Sequence, residues 1–156
     1  MTLDEHLTVL ERELPEQHPL PFAPRLRAVV LHGGLAYLSG NGDLDTIGRV
    51  GADVTVEHAA AAARRTAILM CRSLREELGS LDRVERWVKV LGLVRSAPGF
   101  GQQPAVINGF TELVVELFGE ERGLCARSAI GVAELPAGLA VEVEATVALA
   151  IGAAWS

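Results

Sequence analysis

One arginine and two glutamates in the last third of this chain, Arg127, Glu142 and Glu144, are the residues best suited to chemistry. Residues 125–145 read C-A-R-S-A-I-G-V-A-E-L-P-A-G-L-A-V-E-V-E-A. Two alternating runs flank a Leu135-Pro136-Ala137-Gly138 turn, where proline fixes φ and glycine is free to take a positive value. Side chains of a strand point to opposite faces with a period of two. With Ser128, Ile130 and Val132 of one run and Leu139, Val141, Val143 and Ala145 of the other on the core face, Arg127, Glu142 and Glu144 share the opposite face. One guanidinium and two carboxylates over a floor of alanine and glycine predict a site for a small anion. An arginine fork grips a carboxylate through two charge-assisted hydrogen bonds, and a carboxylate beside it can position a water and move protons. The same pattern also fits an exposed cross-strand ion pair, worth only about 0.2–1 kcal/mol.

Other chemistries find less support. Gly33-Gly34 and the glycines of residues 40–42 lack the P-loop lysine and the G-x-G-x-x-G context of a dinucleotide site. His6, His18, His32 and His58 are scattered without zinc-ligand spacing, and Asp43 and Asp45 lack the further oxygens, the glycine and the glutamate of a calcium loop. Neither a metal nor a cofactor is expected. Ser128 has no evident His and Asp partners for a hydrolase triad. Cys71 falls on a buried helical stripe and reads as inert. Cys125 lies two residues before Arg127, a cation that favours its thiolate, and reads as a free, mildly reactive thiol.

The elements that must position these residues follow from periodicity. Thr2-Leu3-Asp4-Glu5 has the form of a capping box and predicts a helix over about residues 3–13. Pro15, Pro19, Pro21 and Pro24 then predict an extended connector that covers the sheet edge and has no chemistry of its own. Residues 26–31 and 35–40 read as strands around His32-Gly33-Gly34. Thr55 caps a helix over 56–78 whose stripe is Val56, Ala60, Ala63, Ala67, Met70 and Leu74, while Arg64, Arg65 and Arg72 read as a solvated face. Val84–Arg95 is a strand with sizeable apolar residues on both faces: Val88, Val90 and Val94 on one, Trp87, Leu91 and Leu93 on the other. A helix layer over one face and a subunit contact over the other would account for both. Pro104 opens a second helix, with Val106, Phe110, Leu113 and Leu117 in one row and Gly119 at its end. Phe100, in the glycine-rich turn before it, either walls a cleft or is buried locally. The order β-β-α-β-α-β-β, with two helices on one face of a mixed sheet, predicts a two-layer α+β fold.

At 156 residues one domain is expected over 1–156, with 1–24 as the N-terminal helix and connector. The net charge of −6 argues against nucleic acid, which needs a basic face. No apolar run approaches a membrane span once Glu142 and Glu144 interrupt the C-terminal one. Two cysteines without a secretory signal fit a reducing compartment, so a soluble cytoplasmic protein is expected.

The run A-R-S-A-I-G-V-A-E-L-P-A-G-L-A-V-E-V-E-A resembles the closing signature of the YjgF/RidA family, which ends in A-R-S, L-P and a V/I-E-V/I-E-A strand. Earlier segments agree: L-A-Y-L-S-G, D-R-V-E-R-W-V-K-V, A-P-G-F and V-I-N-G-F-T-E-L-V-V-E-L-F, with Asn108 at the family's asparagine. The similarity spans about residues 20–150 and is nearest to a subgroup labelled endoribonuclease L-PSP-like. It implies a chorismate-mutase-like fold, a homotrimer with clefts between subunits, and hydrolysis of reactive enamines and imines to keto acids and ammonia. It further implies that Arg127 holds the substrate carboxylate, that Glu142 lies in the cleft, and that Gly40, Asn108 and Phe100 help to bind substrate. Two positions depart from the family: residues 22–27 hold no tyrosine where a G-P-Y stretch is usual, and Ala129 stands where cysteine is common. A non-catalytic trimer binding a small carboxylate metabolite is the alternative. The acidic charge and the lack of a histidine pair count against an endoribonuclease.

Overall fold

The computed structural model describes residues 1–16 and 18–152. Among them the strands are β1 (Val29–His32), β2 (Leu35–Asn41), β3 (Val84–Arg95), β4 (Ala126–Val132) and β5 (Val141–Leu149). The α-helices are α1 (Leu3–Leu10), α2 (Val56–Leu78), α3 (Gln103–Phe118) and the one-turn α4 (Glu120–Gly123). The sheet runs β1-β2-β5-β3-β4, antiparallel throughout except for the parallel pair β3–β4. This is the α+β architecture expected, with α2 and α3 on one face of a mixed sheet. No helix among the described residues is long and apolar enough to cross a membrane.

Local chemistry fixes the helices much as their sequences require. Thr2 and Glu5 form the reciprocal capping box, and Thr55 Oγ1 accepts from His58 N at the start of α2. Gly79 stops α2 in the left-handed region at φ 83°, where glycine carries no steric cost. On α2, Ala63, Ala67, Met70, Cys71 and Leu74 are buried, and on α3 Val106, Ile107, Phe110, Leu113, Val114 and Leu117 are buried. The two helices press closely together. A Cβ placed on Gly109 would stand 2.0 Å from the Ala60 carbonyl oxygen. Helix α1 packs Leu7 and Leu10 into the core and is tied down by Asp4, which accepts from Ser80 Oγ at 2.6 Å and Leu81 N at 3.0 Å.

Residues 125–145 do not form a paired hairpin. Helix α3 is the crossover that returns the chain parallel to β3, so β4 takes the slot beside β3 at the sheet edge. β5 inserts on the other side of β3, and residues 133–140 bridge over the β3 end, where Arg95 N donates to Ala140 O and Ser96 N to Val132 O.

The face expected for β5 holds, with Val141, Val143 and Ala145 buried, but the face expected for β4 is corrected. Register partners share a face, and Arg127 aligns with Val90, which is buried under the helices. Arg127, Ala129 and Gly131 thus point to the helix side, while Ser128, Ile130 and Val132 point to the open side with Glu142 and Glu144. Helix proximity is the reason. A Cβ on Gly92 would lie 2.5 Å from Ile107, and one on Gly131 would lie 2.8 Å from Gln103 Nε2. The small residues are a floor for α3. Trp87 is also reassigned: irregularities at Val84/Arg86 and Trp87/Lys89 turn it under the helices. There it meets Phe110 and Phe118 edge-on at 5.7 and 6.0 Å.

Candidate functional site

Glu142 projects from β5 onto the open side of the sheet, beside the point where β2 leaves its ladder. The register between β2 and β5 slips between Leu38 and Asn41, which turns Gly40 toward Glu142. A Cβ on Gly40 would stand 3.1 Å from the Glu142 carboxyl, so a larger residue there would crowd that carboxyl. Both residues line a cavity of about 400 Å³, within the range of small-molecule sites. Glu142 is half-buried. Burial pushes its carboxyl above the usual carboxylate range, and the like charge of Glu144 adds to the effect. Both effects favour the protonated form of the carboxyl over the charged one.

The rest of that cavity was not legible as a site. Its walls include Leu20, Phe22 and Leu26 of the proline-rich connector, Ala137 of the turn, and Met70 and Arg72 of α2. The connector therefore does more than cover an edge. Its alternating apolar residues, Leu20, Phe22 and Leu26, are the signal that could have flagged it. The turn holds Ala137 at φ 55° and Gly138 at φ 72°, a left-handed pair of which only the glycine was anticipated. Nor are the α2 arginines simply solvated. Arg64 binds Glu13 and Glu116, each at 2.8 Å, and Arg65 binds the buried Asp43 at 2.7 Å.

Arg127 lies elsewhere on the molecule. On the helix side of edge strand β4, its Nη1 donates to Asn108 Oδ1 at 2.9 Å and to Thr111 Oγ1 at 3.0 Å. Asn108 and Thr111 are three apart on α3 and so present one face to the arginine. Asn108 thus positions Arg127. The bonds hold one end of the guanidinium and leave Nη2 and Nε without a hydrogen bond among the described residues. That is a pre-oriented pair of donors for an outside carboxylate. Arg127 and Glu142 are not brought together within one chain: they occupy opposite faces of the sheet.

Phe100 packs locally, its ring against Gly51, where a Cβ would meet it at 2.9 Å, and it does not line the Glu142 cavity. Cys125 is corrected in direction. Burial raises its thiol more than Arg127, Lys89 and Arg86 lower it, so the thiol is less, not more, ionised than a free one. Cys71 is fully buried and pushed up to about 12. Among the described residues, no group of three or more His, Cys, Asp or Glu is arranged to hold a metal ion.

The open side of the sheet around Glu142 is notably apolar. Val30, Tyr37, Val88 and Ile130 are exposed there or beside it, at 39–46%. Leu91 and Leu93 of β3 lie between Glu144 and Glu142 on one side and Ser128 and Ile130 on the other.

No family model matches the chain. Protein TCP17 from Trypanosoma cruzi is 48% identical over 102 residues, covering 65% of this chain and 64% of that protein. The chain thus spans a little under two thirds of that relative's length. Among solved structures, Atu1372 from Agrobacterium tumefaciens, of unknown function, is 32% identical, with 95% of this chain and 92% of the other covered and a TM-score of 0.81. A candidate endoribonuclease from Shewanella oneidensis is 23% identical over 96% of this chain and 100% of its own, with a TM-score of 0.82. TdcF from E. coli, solved with bound serine, is 20% identical over 83% and 91%, with a TM-score of 0.54.

Proposed function

This chain belongs to the YjgF/RidA family, and from that premise we propose that it hydrolyses 2-imino acids to keto acids and ammonia in clefts between the subunits of a homotrimer. The observation that carries the reading is the placement of Arg127 and Glu142 on opposite faces of one sheet, each half of a site. A cyclic trimer uses a heterologous contact, in which different surfaces of neighbouring copies meet. The Arg127 edge of one copy then closes the Glu142 cavity of the next. The apolar open face around Leu91, Leu93 and Ile130 is the surface such a contact would bury.

In that cleft the free Nη2 and Nε donors of Arg127 hold the substrate carboxylate, placing the adjacent C=N carbon near Glu142 of the neighbouring copy. Glu142 positions a water. The water's oxygen bonds to the imine carbon as the nitrogen gains a proton, giving a carbinolamine. The carbinolamine hydroxyl then gives up its proton and the amine nitrogen gains one, a transfer Glu142 can relay; the C–N bond breaks with its electron pair leaving on ammonia, and the carbon–oxygen bond becomes the ketone of the keto acid. The imine is already electrophilic, so holding the reactants together supplies much of the rate, and a carboxyl of raised affinity for protons serves the transfers. A bound amino acid in TdcF is consistent with a ligand of this carboxylate class.

Subunit complementation tests the reading. Arg127→Ala and Glu142→Gln variants are assayed singly, then co-refolded in equal amounts, following keto acid released from an imine made in situ. With sites shared between neighbours, random mixing rebuilds an intact site wherever a copy with Arg127 precedes a copy with Glu142, about a quarter of all sites. Recovery to about that fraction supports the shared cleft. No recovery from two singly inactive variants refutes it. Ligand binding without turnover in the wild type would make this a carboxylate-binding trimer instead.

A further inference from the structure

Arg72 is the unexplained charge in the Glu142 cavity. Its neighbours on α2 all have partners: Arg64 with Glu13 and Glu116, Arg65 with Asp43, and Arg75 with Glu11 at 2.8 Å. Arg72 alone of these four lines the cavity, and it has neither a hydrogen bond nor an ion pair among the described residues. The carboxylate four residues on, Glu76, which could have paired with it along the helix, lines a separate groove with Arg27. The lining that Arg72 shares is largely apolar, including Leu20, Phe22, Leu26, Leu69 and Met70, with Ser39, Asn41 and Ser73 among its polar members. His18 sits at the same cavity but is turned to Asp45 at 3.1 Å. An unpartnered guanidinium against an apolar wall gains most from an anion that arrives with the ligand.

We propose that Arg72 receives a second carboxylate at the far end of the ligand, making the preferred substrates imino derivatives of dicarboxylic amino acids. This rests on the imino-acid reading above, in which Arg127 of the neighbouring copy already holds the first carboxylate. With that group accounted for, Arg72 is left facing the substrate side chain. The connector lies over the same space, so its leucines and phenylalanine pack against the methylenes between the two carboxylates.

The probes are ketones that stand in for the imines: 2-oxobutanoate with one carboxylate and 2-oxoglutarate with two. Their binding to wild type, Arg72→Gln and Arg72→Lys is measured by calorimetry. Wild type should bind 2-oxoglutarate about ten- to hundredfold more tightly than 2-oxobutanoate, the gain of a sheltered charge-assisted contact. Arg72→Gln should erase that preference and leave 2-oxobutanoate unchanged, which also reports an intact fold, and Arg72→Lys should keep part of it. Equal affinities in wild type, a diacid preference that survives Arg72→Gln, or loss of both ligands in that variant would each overturn the assignment. Failure of wild type to bind either ketone would sink the imino-acid reading along with it, whereas monoacid binding without diacid preference sinks this inference alone.

Discussion

Replacing Glu142 with glutamine should stabilise the protein and impair its chemistry at once. Glu142 is half-buried beside Gly40, and burial followed by Glu144 raises its affinity for a proton in the folded state. A carboxyl with a raised folded pKa binds protons better folded than unfolded. Above that pKa its charge therefore costs stability, and the cost fades as pH falls through the folded pKa and is gone below the unfolded carboxylate value near about 4. Glutamine keeps the size and most of the hydrogen bonding but never carries the charge. Solvent screening of a group this accessible keeps the gain within about 0.5 kcal/mol, the usual bound for an exposed substitution, or at most about 1–2 °C in Tm for a chain of this length. The gain should be present at pH 7 and absent at pH 3.5, which a pair of thermal melts reads directly. Turnover of an imino acid should fall by about 10²–10⁴, the usual loss with a general acid–base group. Glu144→Gln, on the same face, is the control and should leave turnover nearly unchanged. Equal turnover in wild type and Glu142→Gln would refute the catalytic role, and a Tm gain that persists at pH 3.5 would refute the electrostatic account of its environment.

Arg127→Ala should weaken binding of a small carboxylate by about ten- to hundredfold in calorimetry, and should cost about 0.5–1.5 kcal/mol of stability because Asn108 Oδ1 loses its donor. Unchanged affinity would place the ligand elsewhere. Gly109→Ala drives a methyl to 2.0 Å from the Ala60 carbonyl; about 3 kcal/mol of overpacking should outweigh about 1 kcal/mol of helix propensity, lowering Tm by about 4–8 °C. An unchanged Tm would mean that α2 and α3 separate freely. Ile130→Asp, at a residue 46% exposed on the open face, should convert the proposed trimer to monomers in sedimentation with little loss of secondary structure, and a wild type that sediments as a monomer would remove the shared cleft.

The elements were legible in the sequence because local signals agree along them. The Thr55 cap, the alanine-rich stripe and Gly79 mark α2 at both ends, and the α3 row from Val106 to Leu117 is buried as its spacing predicts. Faces were harder. Alternation says which residues travel together and not which side they take, and side-chain size is the usual tiebreaker. Here that tiebreaker misleads on β4. Ala129 and Gly131 are small because α3 lies close above them, and Ile130 and Val132 are large on a face that carries no helix. The apolar residues on both faces of β3 already implied such an open apolar side, but applying it to β4 needs the β3–β4 register, which no local pattern encodes. Trp87 likewise moved with a register slip. A cleft at Glu142 and Gly40 was expected, but its other walls were not legible for a similar reason: Phe22, Arg72 and Ala137 come to line one cavity only after folding.

The division of Arg127 and Glu142 between two faces has a physical logic. Had both stood on one face of one chain, the guanidinium and the carboxylate would satisfy each other, as Arg75 and Glu11 do at 2.8 Å, and a substrate carboxylate would have to displace an existing ion pair. Kept apart, Arg127 is oriented by neutral partners, Asn108 and Thr111, which fix its direction without neutralising its charge. Glu142 meanwhile is held half out of water beside the like charge of Glu144, and both raise its affinity for a proton. Each half is left electrostatically unsatisfied in the direction its task requires. In the trimer we propose, a contact between copies would bring the halves within reach of one ligand without bringing them into contact with each other, and the ligand's own carboxylate would become the anion that Arg127 lacks.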